Sequence, residues 1–171
     1  ILKVPKVKII LYNFEKLSSF LFSPDFVKRL VNDFPKNIIG VKDSSYNLFE
    51  KLKIPNFLIF PGSETKLIKG LKLGCAGCIS AVTNVTHSMA RKVFDNHTNA
   101  SSESLNKKLI LVREIFDNYN LISALHSYMS IKNESYKNLL PPLVLLNDEK
   151  KRELLSNLEK LDVLPSKGLA A

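Results

Sequence analysis

Apolar residues in this chain follow two rhythms, short runs with a period of two and longer stretches with a period near 3.6. Lys8–Tyr12 reads Lys-Ile-Ile-Leu-Tyr after Val4-Pro5 and predicts a strand. Alternation places Ile10 and Tyr12 on one face, Ile9 and Leu11 on the other. Asn13–Ser23 is expected to be a loop, and Ser23-Pro24-Asp25 opens a helix with Ser at the cap and Pro in the first turn. Phe26, Val27, Leu30, Val31 and Phe34 form its apolar stripe, and Pro35-Lys36-Asn37 ends it. Ile38–Lys42 is the second strand. A short helix is expected around Asn47–Leu52, broken by Pro55-Asn56. Phe57–Phe60 is a third strand, and Pro61-Gly62-Ser63-Glu64 turns into a helix that carries Leu67, Ile68, Leu71 and Leu73 and ends at Gly74. Gly77–Ser80 is the fourth strand. From about Thr86 the pattern is helical, with breaks at Asn96–Ser102, Asn118–Asn120 and Pro141–Asn147, and Asp148–Leu161 is a charged amphipathic helix.

Strand and helix thus alternate four times before helices take over, the signature of an α/β fold with a parallel sheet and helices outside. In a barrel of this kind the strand ends share one rim, which would hold Tyr12, Lys42, Gly62 and Ser80. Closure needs eight such units and about 250 residues. The 171 residues present supply four units, either half of a (β/α)8 barrel or a small open sheet.

Composition narrows the class. With 45% hydrophobic and 24% charged residues the chain is globular. No apolar run approaches the roughly 20 residues of a membrane span. Neither a secretory signal nor an initiator Met opens the chain, which points to a fragment or a trimmed chain. Two cysteines exclude a disulfide scaffold and suit a reducing cytoplasm. The net charge of +9 could suit nucleic acid, but the lysines are scattered and Arg29, Arg91, Arg113 and Arg152 stand apart. Abundant Lys and Asn read as codon bias, and neither nucleic acid nor membrane is expected as a partner. A mildly positive field favours anionic substrates such as keto acids.

The chemistry centres on Ile38–Ser45, Ile-Ile-Gly-Val-Lys-Asp-Ser-Ser. A lysine ending a buried strand loses hydration, which favours the neutral amine. Such an amine can attack a ketone and form a Schiff base. Tyr12, at the same level on the adjacent strand, is placed to pass protons. Asp43 alternates to the opposite face and is not the first choice of partner. A second group comprises Gly62, Ser63, Glu64, Ile79 and Ser80. Gly62 would let a ligand approach the backbone, Ser63 would cap the next helix, and Glu64 would contact substrate hydroxyls or sit in the first helical turn. Cys75-Ala76-Gly77-Cys78 has redox or zinc spacing, but it follows a helix end instead of opening a helix, and no second ligand pair exists. Packed thiols and no metal site are expected.

Together, Leu11-Tyr12-Asn13, Gly40-Val41-Lys42-Asp43-Ser44-Ser45, Phe60-Pro61-Gly62-Ser63-Glu64 and Gly77-Cys78-Ile79-Ser80 with Asn84 resemble the dihydrodipicolinate synthase / N-acetylneuraminate lyase family. The late Leu140-Pro141-Pro142-Leu143-Val144 is also similar to that family's C-terminal region. These are class I aldolases that form a Schiff base with pyruvate. The resemblance spans residues 5 to 161. It implies the last four β/α units of a (β/α)8 TIM barrel in 1–100, C-terminal helices in 101–165 and a tail in 166–171. It implies Lys42 as the imine-forming lysine and Tyr12 as the proton-transferring tyrosine. Gly62 and Ile79 would line the site by backbone, with Ser80 near them and Ser44 beside the substrate tail. It further implies pyruvate and an aldehyde as small-molecule partners, no cofactor beyond the lysine, and a homo-oligomer, a tetramer in the family.

Three departures shape the expected substrate. The family's Gly-Thr-Thr or Gly-Ser-Thr segment, which holds the pyruvate carboxylate, belongs to the half not present here. Leu17 stands where dihydrodipicolinate synthases carry an arginine for an acidic aldehyde, and Leu17-Ser18 is closer to the sugar-acid lyases. Glu15 replaces a proline of the tyrosine loop. The expectation is an aldolase acting on a 2-keto-3-deoxy sugar acid. The alternatives are 4-hydroxy-tetrahydrodipicolinate synthase of lysine biosynthesis and a non-catalytic binding module.

Overall fold

A computed structural model describes residues 7–100 and 102–163. Val4-Pro5 and the tail at 166–171 lie outside them. The chain forms two compact units that divide between Ser80 and Ala81.

The first unit is built on three parallel strands in the order β1-β2-β3, where β1 is Ile9–Asn13, β2 is Ile38–Asp43 and β3 is Leu58–Pro61. β-branched Ile38, Ile39 and Val41 suit the pleated, half-buried surface of β2. The register sets Leu11, Val41 and Ile59 side by side and, one step further on, Tyr12, Lys42 and Phe60. The first row faces the core, where Val27 of helix α2 (Pro24–Asp33), Val41, Leu48, Phe49, Leu52 and Ile59 are buried together. Alternation sends the second row to the other face, and Tyr12 there is 47% exposed. The cap expected for α2 is present: the Ser23 hydroxyl accepts from the Phe26 amide, and Pro24 occupies the first turn.

Several expectations need correction. The loop expected at Asn13–Ser23 contains a short helix, α1 (Glu15–Ser18). No helix forms at Asn47–Leu52. There Leu48 accepts from the amides of Lys51 and Leu52, a single turn. Its leading amides, of Leu48 and Phe49, donate to the Asp43 carboxylate, and Pro55 prevents extension. The fourth strand is an extended segment and not a regular one. The Ala76 amide donates to Ile59 and the Ile79 amide to Pro61. Three residues on one side thus match two on the other, the count of a β-bulge. Gly77 lies inside the mismatch at φ 148°, a conformation open to glycine. After β3, a 3₁₀ turn (Glu64–Lys66) leads into α3 (Leu67–Lys72).

The second unit is helical: α4 (Thr83–Asp95), α5 (Ser102–Asp117), α6 (Leu121–Met129) and α7 (Asp148–Glu159). α4 begins before Thr86, which sits at a kink with φ −118° and returns its hydroxyl to the Val82 carbonyl. Between α6 and α7 the helical expectation fails. Asn133 caps a lone 3₁₀ turn, Glu134–Lys137, and Pro141-Pro142 excludes a helix beyond it. The core of this unit gathers Val112, Phe116, Ala124, Leu125, Tyr128, Leu154 and Leu158. No helix among the described residues is long and apolar enough to cross a membrane.

Candidate active site

The ends of β1 and β2 create the site. Tyr12 and Lys42 are direct register partners, and the Lys42 Nζ lies 4.1 Å from the centroid of the Tyr12 ring. A cation over an aromatic face is held by the ring quadrupole, worth about 0.5–2 kcal/mol according to exposure. Lys42 is half-buried, and Phe14 flanks Tyr12 with ring centroids 5.7 Å apart. The amine therefore sits over the neighbouring phenol ring.

Below this pair, on the face toward the core, lies a polar cluster that sequence reasoning missed. Asn13 and Asp43 are register partners and both fully buried. The Asn13 Nδ2 donates to Asp43 Oδ1 at 2.8 Å and to Asn47 Oδ1 at 2.7 Å. Its Oδ1 accepts from the Phe22 amide, and Asn47 Nδ2 donates to the Phe22 carbonyl. Asp43 Oδ2 accepts from the Leu48 and Phe49 amides at 2.8 and 2.9 Å. The available signal was a polar residue directly after each of Tyr12 and Lys42, at matching register. Setting Asp43 aside for its alternate face concealed the contact it makes there.

The second group falls into place around β3. The Ser44 amide donates to the Asn13 carbonyl, the Gly62 amide to the Asp43 carbonyl and the Ile79 amide to the Pro61 carbonyl. These bonds run across the rim from β1 to the extended segment. A Cβ at Gly62 would stand 2.1 Å from the Ser44 Oγ and 2.7 Å from its Cα, so close approach of Ser44 already requires glycine there. Ser63 is buried and caps the 3₁₀ turn, its hydroxyl accepting from the Thr65 amide at 3.2 Å. Glu64 is fully buried, and the Ser80 hydroxyl donates to its Oε2. Ile79 is 37% exposed. Burial and then the nearby Glu64 carboxylate push the Cys78 thiol up to about 12, and Cys75 is buried with its thiol directed at the Phe49 carbonyl. Among the described residues, no group of three or more His, Cys, Asp or Glu side chains could hold a metal ion.

The model of the dihydrodipicolinate synthetase family matches residues 1–161. The chain belongs to this family. As a member of it, the chain is a partial (β/α)8 barrel with C-terminal helices, and its solved neighbours share that fold. One is a prophage protein of Escherichia coli K12 belonging to the dihydrodipicolinic acid synthase family, solved in complex with pyruvate. It is 24% identical with a TM-score of 0.79, over 91% of this chain and 56% of that one. A 4-hydroxy-tetrahydrodipicolinate synthase of Hydrogenobaculum sp. is 27% identical over 165 residues, 91% of this chain and 57% of the relative. A 2-dehydro-3-deoxy-D-gluconate/2-dehydro-3-deoxy-phosphogluconate aldolase of Picrophilus torridus is 25% identical over 150 residues, 84% of this chain and 56% of the relative. The family chain described here thus spans about half the length of the curated relatives it matches.

Proposed function

We propose that this chain carries the reactive lysine of a pyruvate-dependent class I lyase that cleaves or forms a 2-keto-3-deoxy sugar acid. The observation that supports it is the placement of the Lys42 Nζ 4.1 Å over the Tyr12 ring. The Lys42 amine, once it has given up its proton, attacks the keto carbon of pyruvate, the resulting carbinolamine hydroxyl takes a proton from the Tyr12 hydroxyl, and water leaves to give a protonated imine. That imine is also a cation, so the ring that attracts the ammonium attracts the intermediate. The Tyr12 hydroxyl moves the protons that carbon–carbon cleavage and imine hydrolysis require. The backbones of Gly62 and Ile79 line the site, Ser44 lies beside the substrate tail, and Ser80 is oriented by Glu64. Ser63 serves through the turn it caps. Beyond the Lys42 and Tyr12 side chains the imine chemistry calls for no cofactor, and the working form is a cytoplasmic homo-oligomer.

The choice of acceptor rests on Leu17, which is 76% exposed and cannot pair with an acidic aldehyde. The Picrophilus aldolase accords with this reading. The second reading, 4-hydroxy-tetrahydrodipicolinate synthesis, is favoured by the name of the Hydrogenobaculum relative.

Borohydride reduction in the presence of pyruvate, with the chain joined to the half-barrel that supplies the carboxylate-holding segment, tests the proposal. The expected result is a covalent adduct on the Lys42 peptide, absent from Lys42→Ala. Tyr12→Phe should slow the trapping by about 10²–10⁴-fold, the usual weight of a proton-transfer residue. Adduct on another lysine, or none, sinks the proposal and favours a binding module. Retro-aldol assays on 2-keto-3-deoxy sugar acids then separate the two acceptors.

A further inference from the structure

The reactive pair is held by two strands whose relative position must be fixed to within a fraction of an ångström. Backbone bonds alone do not choose a register. A slip by one residue turns every side chain to the other face, and a slip by two moves Lys42 by about 6.6 Å along β2. One residue beyond the pair, at the next register step, Asn13 and Asp43 bond side chain to side chain inside the protein.

Both groups are fully buried, and their hydrogen-bonding capacity is used in a directional way. Asn13 donates twice, to Asp43 and Asn47, and accepts once, from Phe22. Asp43 receives three N–H donors, from Asn13, Leu48 and Phe49. Only an acceptor on both oxygens can do that, which an ionised carboxylate is and an amide is not. The cluster ties the 14–22 loop through Phe22 and the 44–49 turn through Asn47, Leu48 and Phe49 to the ends of β1 and β2. A satisfied buried polar network specifies one arrangement strongly, because each alternative leaves a buried group unpaired.

We propose that Asn13 and Asp43 are positioning residues, which lock β1 against β2 so that the Tyr12 ring stays beneath the Lys42 amine. The catalytic consequence rests on the roles given to Lys42 and Tyr12 above. The positioning itself does not.

The test reads both on the full chain. Lysine ε-methylene protons above an aromatic face are shifted upfield by the ring current, so a proton–carbon spectrum assigned by Lys42→Arg reports the contact directly. In the unsubstituted chain the Lys42 signal should lie upfield of the other lysines. In Asn13→Leu and Asp43→Asn it should return to the lysine average while core methyl signals keep their dispersion. The rate of pyruvate trapping should fall by roughly 10–100-fold, the cost of a misplacement near 1 Å. Asn47→Ala removes one of the Asn13 bonds and leaves the three donors of Asp43 in place. It should give a partial return of the signal, and it decides the matter if the two buried variants do not fold. An unchanged Lys42 shift in any folded variant overturns the proposal, whatever the loss of stability. Expected shifts without any pyruvate adduct in the unsubstituted chain would instead sink only the lyase reading.

Discussion

Cys78 shows how surroundings, and not residue type, decide reactivity. Burial penalises its thiolate, the Glu64 carboxylate repels it, and the thiol is pushed up to about 12. At pH 8 only about one such thiol in ten thousand is ionised, and the thiolate is the nucleophile. Ellman's reagent at pH 8 should therefore react with Cys78 about 10³-fold more slowly in the folded chain than in urea. The sign for stability follows. The folded state holds this proton more tightly than the unfolded state, so the contribution is whole below pH 9 and declines as pH rises from 9 toward 12. A urea midpoint that fell less in Cys78→Ala than in the parent across that range would confirm it; parallel curves would refute it. The two-residue spacing of Cys75 and Cys78 was legible as packed thiols from the preceding helix end. The nearness of Glu64 was not, because it depends on the chain returning along β3 with a bulge. The Tyr12–Lys42 pair was legible for the opposite reason: in adjacent parallel strands, alternation alone puts the two on one face.

Elements were readable where one local cause sufficed. In α2 the cap, the first-turn proline and the apolar stripe agree, and the structure has the Ser23 hydroxyl accepting from the Phe26 amide at 3.1 Å. Ser23→Ala should lower unfolding stability by about 1 kcal/mol, as loss of such a cap does elsewhere. Equilibrium urea denaturation measures it, and Ser23→Asp should retain most of the stability. Elements went astray where a group outside the pattern intervened. Leu48–Leu52 has helical composition and the Asp43 carboxylate caps its leading amides, but Pro55 leaves room for one turn only. Residues 130–140 read as helix by pattern, yet the Asn133 side chain accepts from the Ser135 amide and starts a separate 3₁₀ turn. Gly77–Ser80 has strand composition but meets β3 three residues against two, and a count of that kind cannot be read from one strand's sequence.

Stability of the whole chain rests on two apolar clusters and little on its charges. The ion pairs Lys28–Asp25, Arg91–Asp95 and Arg113–Asp117 are short-range helix pairs with at least one solvent-exposed partner, and solvent screening leaves such pairs little weight in stability. Buried Phe116 and Leu52, by contrast, are fully enclosed. Phe116 lies in the helical unit with its ring edge-on to Tyr128, centroids 6.0 Å apart. Leu52 lies in the sheet unit with Val27, Val41 and Ile59. Removing the Phe116 ring leaves a cavity that packed neighbours only partly fill, at a cost of about 3–5 kcal/mol, and Leu52→Ala costs about 2–5 kcal/mol. Each cluster draws its buried members from one side of the Ser80–Ala81 division. Hydrogen exchange read by mass spectrometry should therefore lose protection mainly within 81–163 for Phe116→Ala and mainly within 7–80 for Leu52→Ala. Protection lost evenly in both variants would mean that the two clusters open as one cooperative body. Raising salt to 0.5 M should leave both exchange patterns unchanged, because screening acts on exposed pairs and not on apolar burial. The boundary itself was not legible in the pattern of elements, where helix follows strand without interruption. It emerges from which side chains share a core, and Val82, two residues past Ser80, is already buried with the helical set.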